Sequence, residues 1–381
     1  MMLSVGIDIT ATLYGRGVSR YTSNLVRGLL RNSAVKVSLF GSSLRQRTQL
    51  LEIATQLKKE TNSKAETVIQ AYPPSLYTFL WNKLQYPKIK SMLPGIQVFH
   101  SWDWLQPPDT DLALVSTIHD LAILKYPETA HPKIVAAHQA SWKRLKERNA
   151  EIIAVSRATK NDIVQYLQIP EHKIHVIHEA LPVEVQLTAE KITDEQEENI
   201  VAHYNLARPY ILFVGTREPR KNLHRLIEAW QPLEKECDLL VVGETGWDGS
   251  DKRATHPAGL RFLGRVSDEE LSVLYTHARL FAYPSLYEGF GLPILEAFYH
   301  DTPVVTSNIS SMPEVAGNAA ELVDPLSVDS IRDGLIKILN ETEDEQNIRT
   351  QRMIIRQHMF NWQKVTQETV AVYQNAYVAT H

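Results

Sequence analysis

Cysteine is nearly absent: of 381 residues, only Cys237 carries a thiol. That excludes an intrachain disulfide and any zinc site built from cysteines, and it fits a reducing compartment, so a cytoplasmic location is expected. Long apolar runs are missing too. No stretch approaches the roughly 20 consecutive apolar residues needed to cross a bilayer. The opening "MMLSVGIDITATLYGRG" alternates like a strand and has no basic leader, so no export signal is expected. Membrane contact, where there is any, should be peripheral, at the inner face. Charge of one sign is also lacking, because 40 basic and 44 acidic residues are interspersed and leave a net charge of −4. Such a chain presents no broad field to nucleic acid, and any anion must be bound locally.

What is present is core material: hydrophobic residues make up 44% and charged residues 22%, the balance of a soluble globular protein long enough for two domains. Short β-branched runs recur in the first half as "LSVGIDI", "VKVSLFG", "IQVFHS", "LALVSTIHD", "AEIIAVS" and "KIHVIHE". The second half repeats the design with "YILFVGT", "DLLVVGE", "LRFLGRV", "LFAYPS" and "TPVVTSN". Apolar runs alternating with helical patterns predict buried parallel strands with right-handed crossovers. The fold class expected is therefore α/β, two doubly wound Rossmann-like domains facing across a cleft. Residues 1–185 form the first domain, 206–362 the second, and the polar stretch 186–205 the linker. The tail places Val365, Thr369, Val372 and Ala376 on one helical stripe, so a helix over 363–381 should cross back to the first domain.

In such sheets ligands bind beyond the carboxyl ends of the strands, which ranks the motifs. The run "LFAYPS" leads into "LYEGFGLPILEA", where Pro293 suits the first helical position. Gly289 and Gly291 allow close backbone approach, and the N–H groups of Phe290, Gly291 and Leu292 at a helix start predict an anion site. Two acids, Glu288 and Glu296, flank it. An anion alone would be repelled by them, whereas an anion flanked by vicinal hydroxyls would be held, the layout of a nucleotide diphosphate sugar. "GTREPRKN" sets Arg217, Arg220 and Lys221 just after a strand, where a guanidinium and an ammonium suit a departing diphosphate. His119 in "TIHDLA" ends the run "LALVST" on the same kind of edge. "TATLYGRGVSRY" resembles a dinucleotide fingerprint, but Arg20 replaces its third glycine and no acid follows the next strand, which argues against a nicotinamide enzyme. Gly15 and Gly17 instead suggest a glycine loop over phosphates.

Taken together, "EGFGLPILEA", "GTREPRKN", "VVGETGW", "FLGRVSDEELSVLY", "SSMPEVAGNAAELVDP" and "GRGVSRYTSNL" resemble the GT-B fold, retaining glycosyltransferases of glycosyltransferase family four. The resemblance spans nearly the whole chain and is strongest from Tyr210 to Pro325. It implies that Glu288 holds donor sugar hydroxyls, Glu296 the ribose, Arg220 and Lys221 the diphosphate, and the backbone near Val266 the nucleobase. It also places His119 against the donor sugar and counts Gly15, Gly17, Gly215, Gly289, Phe290, Gly291 and Leu292 among the donor-binding positions. One departure is "FYHDTPVV", where His300 and Asp301 stand at a corner that in this family more often carries a glycine.

The implied activity is retaining hexosyl transfer from a nucleotide diphosphate sugar to an acceptor hydroxyl of a carbohydrate or glycolipid. The motifs lean towards mannosyltransferases of polysaccharide assembly, hence GDP-mannose. A UDP-sugar transferase, a nucleotide-sugar epimerase, a phosphorylase and a sugar-nucleotide sensor are the alternatives. No cofactor or metal is expected. Asp109 and Asp111 in "PPDTDLAL" precede a strand and so lie at its amino end, and His172, His175 and His178 do not share a strand face. The amphipathic stretch "LRQRTQLLEIATQLKK" is expected to pack on the sheet, with a membrane-resting helix as the alternative.

Overall fold

Residues 2–15, 17–244 and 257–380 are described by the structure, a computed structural model. Thr245, Gly246 and Trp247 of "VVGETGW" lie outside them. Two units result, Met1–Ala180 with Asn361–His381, and Leu181–Phe360.

The first unit is built on β1 (Leu3–Asp8), β2 (Val35–Ser42), β3 (Glu66–Gln70), β4 (Val98–Trp102), β5 (Ala113–Ile118), β6 (Glu151–Ala154) and β7 (Ile174–Val176). They pair in parallel in the order β3-β2-β1-β4-β5-β6-β7. Every residue of β4 and β5 is buried, as strands covered by helices on both faces require. The helix Arg47–Thr61 turns Leu50, Ala54 and Leu57 inward against this sheet. The C-terminal helix Trp362–Thr380 belongs to this unit and buries the stripe Val365, Thr369, Val372 and Ala376. It lies so close to the helix Val18–Arg31 that a Cβ on Gly28 would fall 2.0 Å from Thr366 Oγ1. Tyr373 on the same helix reaches the sheet, where its hydroxyl sits 2.6 Å from His100 Nδ1. Thr117 Oγ1 lies 2.9 Å from the other ring nitrogen. Burial, then the neighbouring His119, brings the His100 imidazole down to about 3, so it is a neutral strut.

The second unit carries β8 (Tyr210–Val214), β9 (Asp238–Val242), β10 (Leu260–Gly264), β11 (Leu280–Tyr283), β12 (Val304–Ser307) and β13 (Glu321–Val323). Their order is β10-β9-β8-β11-β12-β13, again parallel. The stretch 186–205, read from its polarity as a linker, is largely helical, within Val183–Ala189 and Asp194–His203. Thr193 and Gln196 form a capping box there, and both helices pack on the helix Asp268–Thr276.

Each sheet reverses its strand order once, between β1 and β4 in the first unit and between β8 and β11 in the second. These are the topological switch points at which doubly wound sheets bind ligands.

Candidate active site

The loops after β8 and β11 flank the second switch point and are sewn together. Gly215 N–H donates to Val242 O at 2.9 Å, and Gly243, at φ 139, packs so tightly that a Cβ there would fall 2.1 Å from Gly215 O. Pro219–Lys221 makes one tight turn and Asn222 follows at φ 61, a left-handed conformation that asparagine tolerates. Its buried amide donates to Pro284 O at 2.9 Å and Pro325 O at 2.7 Å, while Leu286 N–H donates to Arg220 O at 2.7 Å.

This stitching brings Arg220, Lys221 and Glu288 into contact. Arg220 Nη1 lies 2.9 Å from Glu288 Oε2, and Lys221 Nζ lies 2.7 Å from Oε1 of the same carboxylate. Lys221 also donates to the Tyr283 hydroxyl at 2.8 Å, and Arg220 Nε donates to Glu218 at 2.8 Å. All three key side chains are close to buried. Burial would raise the Glu288 carboxyl, but Lys221 and then Arg220 outweigh it and hold it down at about 2. Burial in turn lowers the Lys221 ammonium, with the Glu288 charge opposing. An ammonium has three N–H donors and the bonds above use two, so Lys221 retains capacity for a ligand oxygen.

The glycine loop is braced from behind by serines of "SSMPE". Glu288 N–H donates to Ser310 Oγ at 3.1 Å, and Ser311 Oγ donates to Phe290 O at 2.7 Å. Of the two glycines, Gly291 takes the left-handed conformation, at φ 107, immediately before the helix Leu292–Tyr299. Phe290 turns inward against Phe360, with ring centroids 5.5 Å apart. Glu296, inside the helix, is buried and accepts from Tyr275 OH at 3.3 Å. Val266 follows β10 and is buried just ahead of the capping box of Ser267 and Glu270. At the departing corner Asp301 adopts φ 54, the conformation a glycine takes without strain, and His300 stacks on Tyr275 at 5.6 Å.

The remaining predicted residues, His119, Gly15 and Gly17, belong to the first unit. His119 follows β5, with Nδ1 2.8 Å from Glu179 Oε1, and its Nε2 is buried without a hydrogen bond among the described residues. Burial pulls this imidazole down, but Glu179, Asp103 and Asp120 outweigh it and raise it above the usual range. Gly15 and Gly17 sit at φ 96 and 74, and a Cβ on either meets nothing within 4 Å among the described residues, its chain neighbours aside. Asp109 is spent structurally, accepting from the N–H groups of Ile89 and Lys90 at 2.7 and 3.0 Å, and Asp111 pairs with Lys90 at 2.7 Å. Among the described residues no helix is long and apolar enough to cross a membrane.

Sequence reasoning missed Tyr283, Asn222, Gly243, Ser310 and Ser311. The serines stood in a quoted motif, but their contact with the loop spans more than 20 residues and has no local signature.

Two Rossmann-like units, one with paired cations and a buried carboxylate flanking its switch point, define a glycosyltransferase of the GT-B fold. The profile described as Glycosyl transferases group 1 matches residues 195–352, and that described as Glycosyltransferase Family 4 matches residues 15–185. O-antigen chain mannosyltransferase B of Escherichia coli is 30% identical over 375 residues, 94% of this chain and 96% of that one. MMP alpha-(1->4)-mannosyltransferase of Mycolicibacterium hassiacum is 29% identical over 244 residues, 61% of this chain and 56% of that one. A solved glycosyltransferase from Rickettsia africae has the same fold, with a TM-score of 0.72 at 16% identity over 98% of each chain. The chain belongs to glycosyltransferase family four and is a hexosyltransferase.

Proposed function

We propose that the chain transfers a mannosyl group from GDP-mannose, with retention of the anomeric configuration, to a saccharide or glycolipid hydroxyl in polysaccharide assembly. The observation that carries this reading is the Arg220–Glu288–Lys221 cluster at the second switch point, two cations fixed on one carboxylate within 2.9 Å. Mannose as the sugar is supported by the printed activities of the relatives in Escherichia coli and Mycolicibacterium hassiacum.

In this reading Arg220 and Lys221 meet the diphosphate, Glu288 accepts hydrogen bonds from the sugar, Glu296 from the ribose, and the backbone at Val266 faces the base. Gly215 and the 289–292 backbone serve the phosphates in the second unit, and Gly15, Gly17 and His119 are the first unit's own candidates for donor contact. The C1–O bond to phosphate breaks while the C1–O bond to the acceptor forms on the same face. The acceptor proton passes to the leaving phosphate oxygen, and the fixed cations stabilise the charge that develops there. No metal has a part in this step.

Incubation with GDP-mannose, UDP-glucose and ADP-glucose, followed by NMR of the product anomer, tests it. GDP-mannose should be consumed and an α-linked product formed. A β-linked product, or turnover confined to another donor, would overturn the mechanism or the donor respectively.

A further inference from the structure

The first sheet has a switch point of its own, and its chemistry differs from that of the second. β1 ends at Asp8 and the chain turns through Thr10–Leu13 to Tyr14, while β4 ends at Trp102 and continues to Asp103 and Trp104. Trp102 Nε1 donates to Asp8 O at 2.8 Å and locks the two strand ends together. Beyond that bond the rings of Tyr14 and Trp104 meet edge to face, with centroids 5.7 Å apart. Trp104 stacks on Trp102 at 6.3 Å, and Trp102 on His119 at 6.1 Å, so one band of rings runs from His119 out to Tyr14.

The outer end of that band is open. Tyr14 is 55% exposed and Trp104 half-buried, and beside them a Cβ on Gly15 would meet no described atom within 4 Å apart from its chain neighbours. Aromatic surface left in water at a ligand-binding edge is unspent binding free energy. The carboxylates nearest in the chain are buried and already partnered, Asp8 accepting from Thr10 N–H at 2.8 Å and Asp103 lying 3.4 Å from His138, so what the surface offers is aromatic. An exposed aromatic surface matches the face of C–H groups that a pyranose presents.

We propose that the Tyr14–Trp104 pair is a saccharide subsite that holds the terminal pyranose of the acceptor, its C–H face on the rings. This rests on the transferase reading above. The acceptor is then recognised as a sugar and not through a lipid or peptide portion.

The full-length chain with GDP-mannose allows two rates to be read separately, donor hydrolysis without acceptor and transfer to methyl α-mannopyranoside or mannobiose. Tyr14→Ala and Trp104→Ala should raise the KM for saccharide by about tenfold or more, equivalent to about 1.4 kcal/mol, and leave donor hydrolysis within about twofold. Trp104→Phe should recover most of the loss, and Tyr72→Ala, an exposed tyrosine elsewhere, should change nothing. Unchanged saccharide KM in both alanine variants would overturn the proposal, as would parallel loss of donor hydrolysis in Tyr14→Ala. A wild type that turns over no donor would sink the transferase reading instead. Tryptophan fluorescence titration with mannobiose then decides the subsite alone, saturable quenching that Trp104→Phe alters supporting it and no response removing it.

Discussion

The two switch points occupy the same place in their sheets and hold opposite chemistry. The one between β8 and β11 is ionic, with Arg220 and Lys221 on Glu288, whereas the one between β1 and β4 is aromatic, with Tyr14 and Trp104 over Asp8. Even their carboxyls are perturbed in opposite directions. Both are buried, but Glu288 has cations beside it and falls to about 2, while Asp8 has only the hydrogen bonds of Thr10 to set against burial and rises to about 6. In the proposed reading, one edge serves a charged, departing group and the other a neutral ring.

The largest expected effect comes from removing the charge at the ionic edge. Glu288→Gln leaves Lys221 without a carboxylate partner and Arg220 with Glu218 alone, which costs about 3 kcal/mol of stability. It also removes the group assigned to the sugar, so turnover should fall by about a hundredfold. Because the folded carboxyl at about 2 lies below its unfolded value of 4.5, its contribution to stability is present above pH 4.5 and lost as the pH falls towards 2. Urea denaturation at pH 7 and pH 3 should show the mutant far weaker at pH 7 and closer to wild type at pH 3. Equal deficits at both would remove the ion pairing as the cause.

Asp8→Asn should act in the reverse sense. Burial holds the folded carboxyl at about 6 against 3.8, so the fold favours its protonated form, and stability is lost as the pH rises from about 3.8 to 6, the full cost standing above that. The amide keeps the bond from Thr10 and should gain up to about 3 kcal/mol at pH 8, with little gain at pH 4. A loss of stability at pH 8 would show that the charge has a partner there.

How much of this contrast was legible in the sequence depends on which contacts are local. Arg220, Lys221 and Glu288 were readable because each follows an apolar run and sits by a turn residue, and that pattern needs no knowledge of the partner. The Tyr14–Trp104 pair joins residues 90 positions apart through the order of β1 and β4, which no periodicity reveals. Among the strands, β3 and β13 escaped because their sequences, ETVIQ and ELV, carry no continuous apolar run. The helix Asp194–His203 escaped for the related reason that it buries no residue, although its capping box was there to be read.

Smaller effects sharpen the ionic edge. Gly291→Ala forces an L side chain to φ 107 and should cost about 1 to 2 kcal/mol in thermal denaturation. No loss would mean that the loop relaxes into another conformation. Asp301→Gly, at φ 54, should shift stability by less than about 1 kcal/mol, towards stabilisation. A larger loss would reveal a contact made by the Asp301 side chain.

The division of labour between the two edges is tested most directly by steady-state kinetics of Lys221→Ala beside Trp104→Ala, with donor and saccharide varied independently. Lys221→Ala should lower kcat by about a hundredfold with the saccharide KM unchanged, through loss of charge stabilisation at the leaving phosphate. Trp104→Ala should raise the saccharide KM by about tenfold with kcat within a few-fold. If Lys221→Ala altered the saccharide KM while Trp104→Ala lowered kcat, the roles of the two switch points would be contradicted.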